Sequence, residues 1–155
     1  MGSSMPPFSG RSSEFVRAGL RFALVAFYYL AGVWHLTIPS DFVPIVPPWV
    51  PAAHSVVVVT GCCELLGATG LLIPKLRRFS GVMLALYAVC VFPANVSQAL
   101  GHIPFRGHAV GWTFSGPRLA LQPFLVWWPL YCVGVIDWPF RNLRGPEKAD
   151  RFRAR

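Results

Sequence analysis

Four apolar runs divide the chain, and polar or basic residues separate them. The runs cover residues 15–38, 54–73, 79–100 and 118–136. A helix of about 20 predominantly apolar residues spans the hydrocarbon core of a bilayer, because each residue adds about 1.5 Å to its length. The pattern therefore predicts an all-α integral membrane protein, a four-helix bundle that forms a single domain over residues 13–138.

The connection between the first two runs, residues 39–53, has a different pattern. Its five prolines exclude a regular helix, since each removes a backbone donor, while most of its other residues are apolar or aromatic. Such a segment is too apolar for an ordinary solvated loop. It is typical of an interfacial or re-entrant loop, with Trp49 at the level of the lipid headgroups.

Composition supports the membrane class. The 155 residues are 54% hydrophobic and 13% charged, with a mean hydropathy of +0.51, which excludes an ordinary soluble domain. The net charge of +8 does not indicate nucleic-acid binding, because apart from Arg106 and Arg118 every basic residue lies in one of three clusters flanking the apolar runs. These clusters are Arg11, Arg17 and Arg21; Lys75, Arg77 and Arg78; and Arg141, Arg144, Lys148, Arg151, Arg153 and Arg155.

The positions of these clusters predict the orientation in the membrane. Cytoplasmic loops carry the excess of Lys and Arg, so both termini are expected on the cytoplasmic side. Residues 1–12 are rich in Gly, Ser and Pro and are predicted to be a disordered cytoplasmic tail. Residues 139–155 are predicted to be a basic cytoplasmic tail.

The second apolar run carries an acid, Glu64, near its middle. An ionisable group at that depth costs about 2.5 kcal/mol or more, and is by default a candidate functional residue. Residues one turn away on the same helical face are small: Thr60, Gly61, Gly67 and Ala68. Since small residues let membrane helices approach closely, we expect Glu64 to face the interior of the bundle.

Four further polar residues are expected in the outer half of the bilayer: His35, Asn95, Arg118 and Gln122. Together with Glu64 they predict a polar pocket that opens outward, with Glu64 at its floor. Each has an alternative explanation. The histidine is equally consistent with an interfacial position, the asparagine with bonding to the carbonyl that a nearby proline frees, the arginine with snorkelling to the headgroups, and the glutamine with an interhelical hydrogen bond.

The four cysteines, Cys62, Cys63, Cys90 and Cys132, lie within apolar runs. None has CxxC spacing or a histidine at ligand spacing, so the sequence predicts neither a redox motif nor a metal site. We interpret them as buried small hydrophobic residues.

Several segments taken together resemble the DoxX-like family of small membrane proteins. They are His35 followed by Pro39, IVPPW, GCCELLGATGLLIP, FPAN and RLALQPFLVWW, and the resemblance covers roughly residues 18–135. It implies a four-helix membrane fold in a bacterial cytoplasmic membrane. Members are associated with quinone-linked oxidation of sulfur compounds and with membrane redox complexes, and many have no assigned activity. More distantly, the plan is similar to sterol-isomerase-type membrane proteins, which bind lipophilic ligands.

The first functional hypothesis is that the protein binds a quinone or another lipophilic small molecule as an accessory subunit of a membrane redox system. A quinone is then the one cofactor candidate, and the partners are the bilayer, the small molecule, and a redox protein or a second copy of the chain.

The second hypothesis is a membrane enzyme that performs acid/base chemistry on an apolar, lipid-like or terpenoid-like substrate. In that case Glu64 is the proton donor or base and His35 relays the proton. The candidate substrate-binding residues are Asn95, Arg118, Gln122 and Trp49. A third hypothesis is structural, with Glu64 and Arg118 joining the helices.

Overall fold

The computed structural model describes residues 9–101, 103–104 and 111–138, and within these ranges the chain is all-helical, with no strand. The predicted all-α class is therefore confirmed. The helices are α1 (Ser9–Thr37), α2 (Pro39–Phe42), α3 (Ala53–Leu72), α4 (Arg77–Gly101), α5 (Trp112–Ala120) and α6 (Gln122–Cys132), with a 3₁₀ helix over Val43–Ile45.

Three of the described helices are long and apolar enough to cross a membrane: α3, α4, and α1 from Glu14 onward. Helix α3 lies within one residue of the predicted run, because Pro51 and Pro74 interrupt the chain on either side. Helix α1 begins at Ser9, so the last four residues of the predicted N-terminal tail are helical. Residues 1–8 and the C-terminal tail, residues 139–155, lie outside the described residues.

The Pro-rich connection forms two short helical pieces. Pro39 occupies the first position of α2, where its missing N–H costs nothing, and the 3₁₀ helix follows directly. Ile45 is buried, whereas Trp49 is 73% exposed. Ala52, immediately before α3, has φ 53° and ψ 47°, which is left-handed backbone for a residue with a Cβ.

The fourth predicted span, residues 118–136, differs from the structure. It is replaced by α5 and α6, which meet at Leu121, and the helical region ends at Cys132 rather than at residue 136. Prolines are the physical reason: Pro123 cannot donate the backbone bond that would join the two helices, and Pro117 and Pro129 interrupt the ladders of α5 and α6. Gly134, with φ +73°, ends the region in a left-handed turn.

Helix α3 packs between α1 and α4, and α6 packs against both α4 and α1. The buried face of α3 follows helical spacing through Val57, Gly61, Glu64, Ala68 and Leu71. The core where these helices meet is formed by Leu24, Val25, Tyr28, Ala68, Leu71, Leu84, Cys132 and Val133.

The interpretation of the cysteines as buried is wrong for three of them. Only Cys132 is buried, while Cys62, Cys63 and Cys90 are exposed. The exposed three lie on the outer faces of α3 and α4, and hydropathy alone does not distinguish these faces from the interior.

The two ends of the described helical region meet. Arg17, near the start of α1, forms an ion pair with Asp137, beyond the end of α6, and its guanidinium lies 4.8 Å from the centre of the Tyr131 ring. The indole of Trp128 donates to the carbonyl of Leu20. Both ends therefore lie on the same side of the helices.

Candidate functional site

The buried carboxyl group of Glu64 is the centre of the candidate site. Glu64 is 4% exposed and lies near the midpoint of α3, on the face that packs against α1 and α4. Its position follows from the small residues that share this face, because Gly61 and Ala68, one turn away on either side, allow the neighbouring helices to come close. The predicted inward orientation is the one observed.

Two side chains from neighbouring helices contact this carboxyl group. The hydroxyl of Tyr87, on α4, donates to Oε1 of Glu64 at 2.9 Å. Nδ1 of His35, on α1, lies 2.9 Å from Oε2. Three helices thus each supply one member of a Tyr87–Glu64–His35 cluster.

The hydrogen bonding of His35 leaves one oxygen of the cluster unsatisfied. Nδ1 also lies 2.9 Å from the carbonyl oxygen of Ala31, and since a carbonyl only accepts, Nδ1 carries the hydrogen and donates it there. Oε2 of Glu64 receives no hydrogen bond, although it is buried. A buried acceptor without a donor is rare in folded proteins.

The ring of His35 is held on two sides. It stacks on Phe42 of α2, with ring centroids 4.2 Å apart and an interplanar angle of 29°. On the other side α1 crosses α3 at Gly32 and Gly61, where an added Cβ on Gly61 would lie 2.8 Å from the Cβ of His35. The close crossing is what brings the imidazole within reach of Glu64.

A second polar contact joins α4 to α6. Nδ2 of Asn95 donates to Oε1 of Gln122 at 2.9 Å, and Nε2 of Gln122 donates to the carbonyl of Ala88. Both side chains are buried. Asn95 therefore pairs with Gln122, and it is Gln122 that bonds a backbone carbonyl of α4, the helix that contains Pro93.

Arg118 lies apart from Glu64. Its guanidinium donates to Oε1 of Gln98, and no ion pair joins it to a carboxylate of a described residue. It still interacts electrostatically with His35 and Tyr87. The structural hypothesis, in which Glu64 and Arg118 join the helices by contacting each other, is therefore wrong. Glu64 instead contacts Tyr87 and His35.

Trp49 lines a shallow apolar groove of about 450 Å³. The groove lies between the Pro-rich connection and α4, and its lining residues are Pro47, Pro48, Trp49, Phe92, Pro93, Val96 and Ser97. Glu64 is not among them. Of the predicted site residues, the groove includes Trp49 alone.

The structure thus distributes the predicted site residues over four places: Glu64 with His35, Asn95 with Gln122, Arg118 with Gln98, and Trp49 in the groove. Sequence reasoning missed Tyr87, because an aromatic residue in an apolar run is usually packing. It also missed Ser115, which is 4% exposed and lies three residues before Arg118, at the spacing that places both on one face of α5.

In the part of the chain that the structure describes, no group of three or more His, Cys, Asp or Glu side chains could together hold a metal ion.

Residues 24–133 match the model of a family described as a domain of unknown function (DUF8561). The match includes every residue of the contacts around Glu64, Gln122 and Arg118. No curated protein and no solved structure matches the chain.

Proposed function

The chain belongs to the DUF8561 family, and on that premise we propose that it is an integral membrane protein that binds a quinol or quinone, or a comparable lipophilic small molecule, at the Tyr87–Glu64–His35 cluster. The observation that carries the proposal is Oε2 of Glu64, which is buried and receives no hydrogen bond. A hydroxyl group of a ligand would supply the missing donor.

The chemistry of a quinol suits this acceptor. A quinol hydroxyl donates a hydrogen bond to a carboxyl oxygen, and when a redox protein partner takes up the electrons of the quinol, the hydroxyl proton can pass to that oxygen. Nδ1 of His35, 2.9 Å from the same oxygen, places an imidazole beside the receiving group.

The apolar part of the ligand has a candidate position in the groove lined by Trp49 and Pro93. Its volume of about 450 Å³ is within the range of about 300–1,000 Å³ typical of small-molecule sites. The Pro-rich connection links the two places, because it supplies both Trp49 to the groove and Phe42 to the stack on His35.

The finer topology is part of the same proposal. The pair α5–α6, whose two helices are separated by Leu121 alone, supplies the fourth crossing of a four-helix bundle, and the Pro-rich connection lies at the outer interface. Both termini are cytoplasmic, in a bacterial cytoplasmic membrane. In line with the DoxX-like resemblance, the protein serves a membrane redox system as an accessory subunit, with a redox protein or a second copy as partner.

Binding to the purified protein tests the proposal. Wild-type protein in detergent, titrated with a short-chain ubiquinol, is expected to bind it saturably, and solvent extracts of the freshly purified protein should contain quinone by mass spectrometry. Glu64→Gln keeps the shape of the side chain but replaces one carboxyl oxygen by an amide nitrogen, which does not accept, and should weaken binding about tenfold or more. Glu14→Gln is the matched control at an exposed position and should bind as wild type.

Two results would count against quinol binding at this site. One is a wild-type protein that neither retains quinone nor binds the ubiquinol. The other is a Glu64→Gln variant that binds as tightly as wild type.

A second candidate is a membrane enzyme with acid/base chemistry on an apolar substrate. The contact between His35 and Glu64 favours it, because an imidazole N–H beside a buried acid can pass its proton to that acid. Here Glu64→Gln abolishes turnover while substrate still binds. Turnover that survives this substitution excludes the role of Glu64 as proton donor or base.

A further inference from the structure

Three polar groups where α4 meets α5 have hydrogen-bonding capacity that the described residues do not use. Gln98 is 1% exposed and Ser115 is 4% exposed. Within the described ranges, Nε2 of Gln98 and Oγ of Ser115 have no hydrogen-bond partner. Leaving a buried polar group without a hydrogen bond is energetically costly, so the two unsatisfied atoms require an explanation.

The groups are adjacent. The guanidinium of Arg118 donates to Oε1 of Gln98, which places the free Nε2 of the same amide beside the guanidinium. Ser115 precedes Arg118 by three residues on α5 and shares its face. Guanidinium, amide nitrogen and hydroxyl therefore form one cluster, which we call the Arg118 cluster.

All three members can donate hydrogen bonds, and what the cluster lacks is an acceptor. Arg118 has five N–H groups, of which one bonds Gln98, and it has no ion pair with a described carboxylate. The acceptor that completes such a cluster is negatively charged.

We propose that the Arg118 cluster binds a phosphate-type oxyanion. Arg118 supplies a planar fork that takes two oxygens, while Gln98 Nε2 and Ser115 Oγ donate to the remaining ones. A tetrahedral oxyanion offers acceptors in more than one plane, as donors from two helices require. The phosphate comes either from a lipid headgroup or from a soluble phosphate.

This site uses other contacts than the Tyr87–Glu64–His35 cluster, because Arg118 bonds Gln98 whereas Glu64 meets Tyr87 and His35. Exposed aromatic residues of α5, Trp112 at 55% and Phe114 at 49%, flank the cluster and are of the kind that anchors a helix at a membrane interface. The proposal does not depend on quinol binding, since it uses different residues and a different ligand chemistry.

The test measures thermal stability of the full-length protein in a phosphate-free, non-ionic detergent buffer. One arm adds inorganic phosphate, and the other adds phosphatidylglycerol, with diacylglycerol of the same acyl chains as the phosphate-free control. A rise in Tm with phosphatidylglycerol but not diacylglycerol assigns the site to a headgroup. A rise with inorganic phosphate assigns it to a soluble oxyanion. If neither phosphate compound raises the Tm of the wild type, the proposal is overturned.

Single substitutions test whether the rise in Tm comes from binding at the Arg118 cluster. Arg118→Gln should reduce the apparent affinity for the effective phosphate compound about tenfold or more, and Ser115→Ala by several-fold. Arg78→Gln, at an exposed position in the first turn of α4, is the matched control and should respond as wild type. If Arg118→Gln does not fold, Arg118→Lys replaces it, because lysine keeps the charge and loses the fork. An unchanged response in Ser115→Ala together with the arginine variant overturns the assignment to this cluster.

Discussion

Gly61 and His35 lie so close that a Cβ on Gly61 would be 2.8 Å from the Cβ of His35. The same added atom would lie 3.1 Å from the carbonyl oxygen of Gly32, so the obstruction is partly backbone and cannot be relieved by a rotamer change alone. Helices α1 and α3 can therefore cross at this distance only because residue 61 lacks a side chain. The imidazole is held beside Glu64 as a consequence.

Gly61→Ala is expected to separate α1 from α3 and to move His35 away from Glu64. Overpacking of this kind typically costs about 1–3 kcal/mol, which should be measurable as a loss in the free energy of unfolding in a detergent denaturation series. Gly19→Ala is the control, because nothing lies within 4 Å of an added Cβ there and alanine favours a helix. Equal stability of the two variants would contradict the close crossing.

Tyr87→Phe removes the hydrogen bond to Oε1 of Glu64. The carboxyl group then has no hydrogen-bond donor among the described residues, and the expected loss of stability is about 1–3 kcal/mol. Tyr29→Phe is the matched control: it removes an exposed bond to Thr69 and should change stability by less than about 0.5 kcal/mol.

A double-mutant cycle with Glu64→Gln decides whether Tyr87 acts through Glu64. Residues in direct contact usually show coupling of about 0.5–3 kcal/mol. Strictly additive effects of Tyr87→Phe and Glu64→Gln would mean that the bond contributes nothing to the folded protein.

The apolar runs sufficed to predict α1, α3 and α4, because a helix in a membrane must satisfy its own backbone and needs a minimum apolar length. The boundaries of α3 were predicted best, since prolines mark both sides. Hydropathy could not predict the break at Leu121. Pro123 is as apolar as its neighbours, and its effect is on hydrogen bonding rather than on hydrophobicity.

For the site, sequence predicted that Glu64 is buried but not what it contacts. Depth along each helix placed five polar residues in one half of the membrane. Which of them meet depends on the rotation of each helix about its axis, and α4 turns Asn95 toward Gln122 and Tyr87 toward Glu64. The rotation of each helix is set by its packing against its neighbours, for example at Gly61, where α3 crosses α1. Such a contact cannot be recognised from the sequence of one helix alone.

The pair Asn95–Gln122 is expected to stabilise the contact between α4 and α6 modestly. Asn95→Leu leaves Oε1 of Gln122 buried without its donor, and hydrogen bonds between membrane helices contribute about 0.6 kcal/mol on average and about 1.7 at most. Replacing both residues by leucine should cost less than the sum of the single changes, because no unpaired group remains.

The measurement for this pair is again the free energy of unfolding. Ser97→Ala, on the same helix but facing the groove, is the control and should stay within about 0.5 kcal/mol of wild type. A double variant that is less stable than the sum of the singles would contradict the pairing.

Ala52→Gly should stabilise the protein. Ala52 has φ 53°, and left-handed backbone costs a residue with a Cβ about 1–2 kcal/mol, a cost that glycine avoids. Part of the gain is lost to the greater freedom of glycine in the unfolded chain, so a net gain of up to about 1 kcal/mol is expected. Ala23→Gly, in the interior of α1, should instead destabilise by about 0.5–1 kcal/mol. If both substitutions destabilise equally, Ala52 is not left-handed in the membrane.

The contact between Arg17 and Asp137 predicts the topology of the whole chain. Because the start of α1 and the residue beyond α6 meet, we expect an even number of membrane crossings between them, and the basic clusters predict that this side is cytoplasmic. In a variant whose four cysteines are replaced by alanine, Ser40→Cys in the Pro-rich connection should react with a membrane-impermeant maleimide on intact cells. Lys75→Cys, in the turn between α3 and α4, should react only after the membrane is permeabilised, and a C-terminal green fluorescent protein should fluoresce.

Labelling of both cysteines from the same side would contradict the crossing of α3. Labelling of Lys75→Cys alone on intact cells would reverse the orientation, and would mean that the basic clusters do not set it.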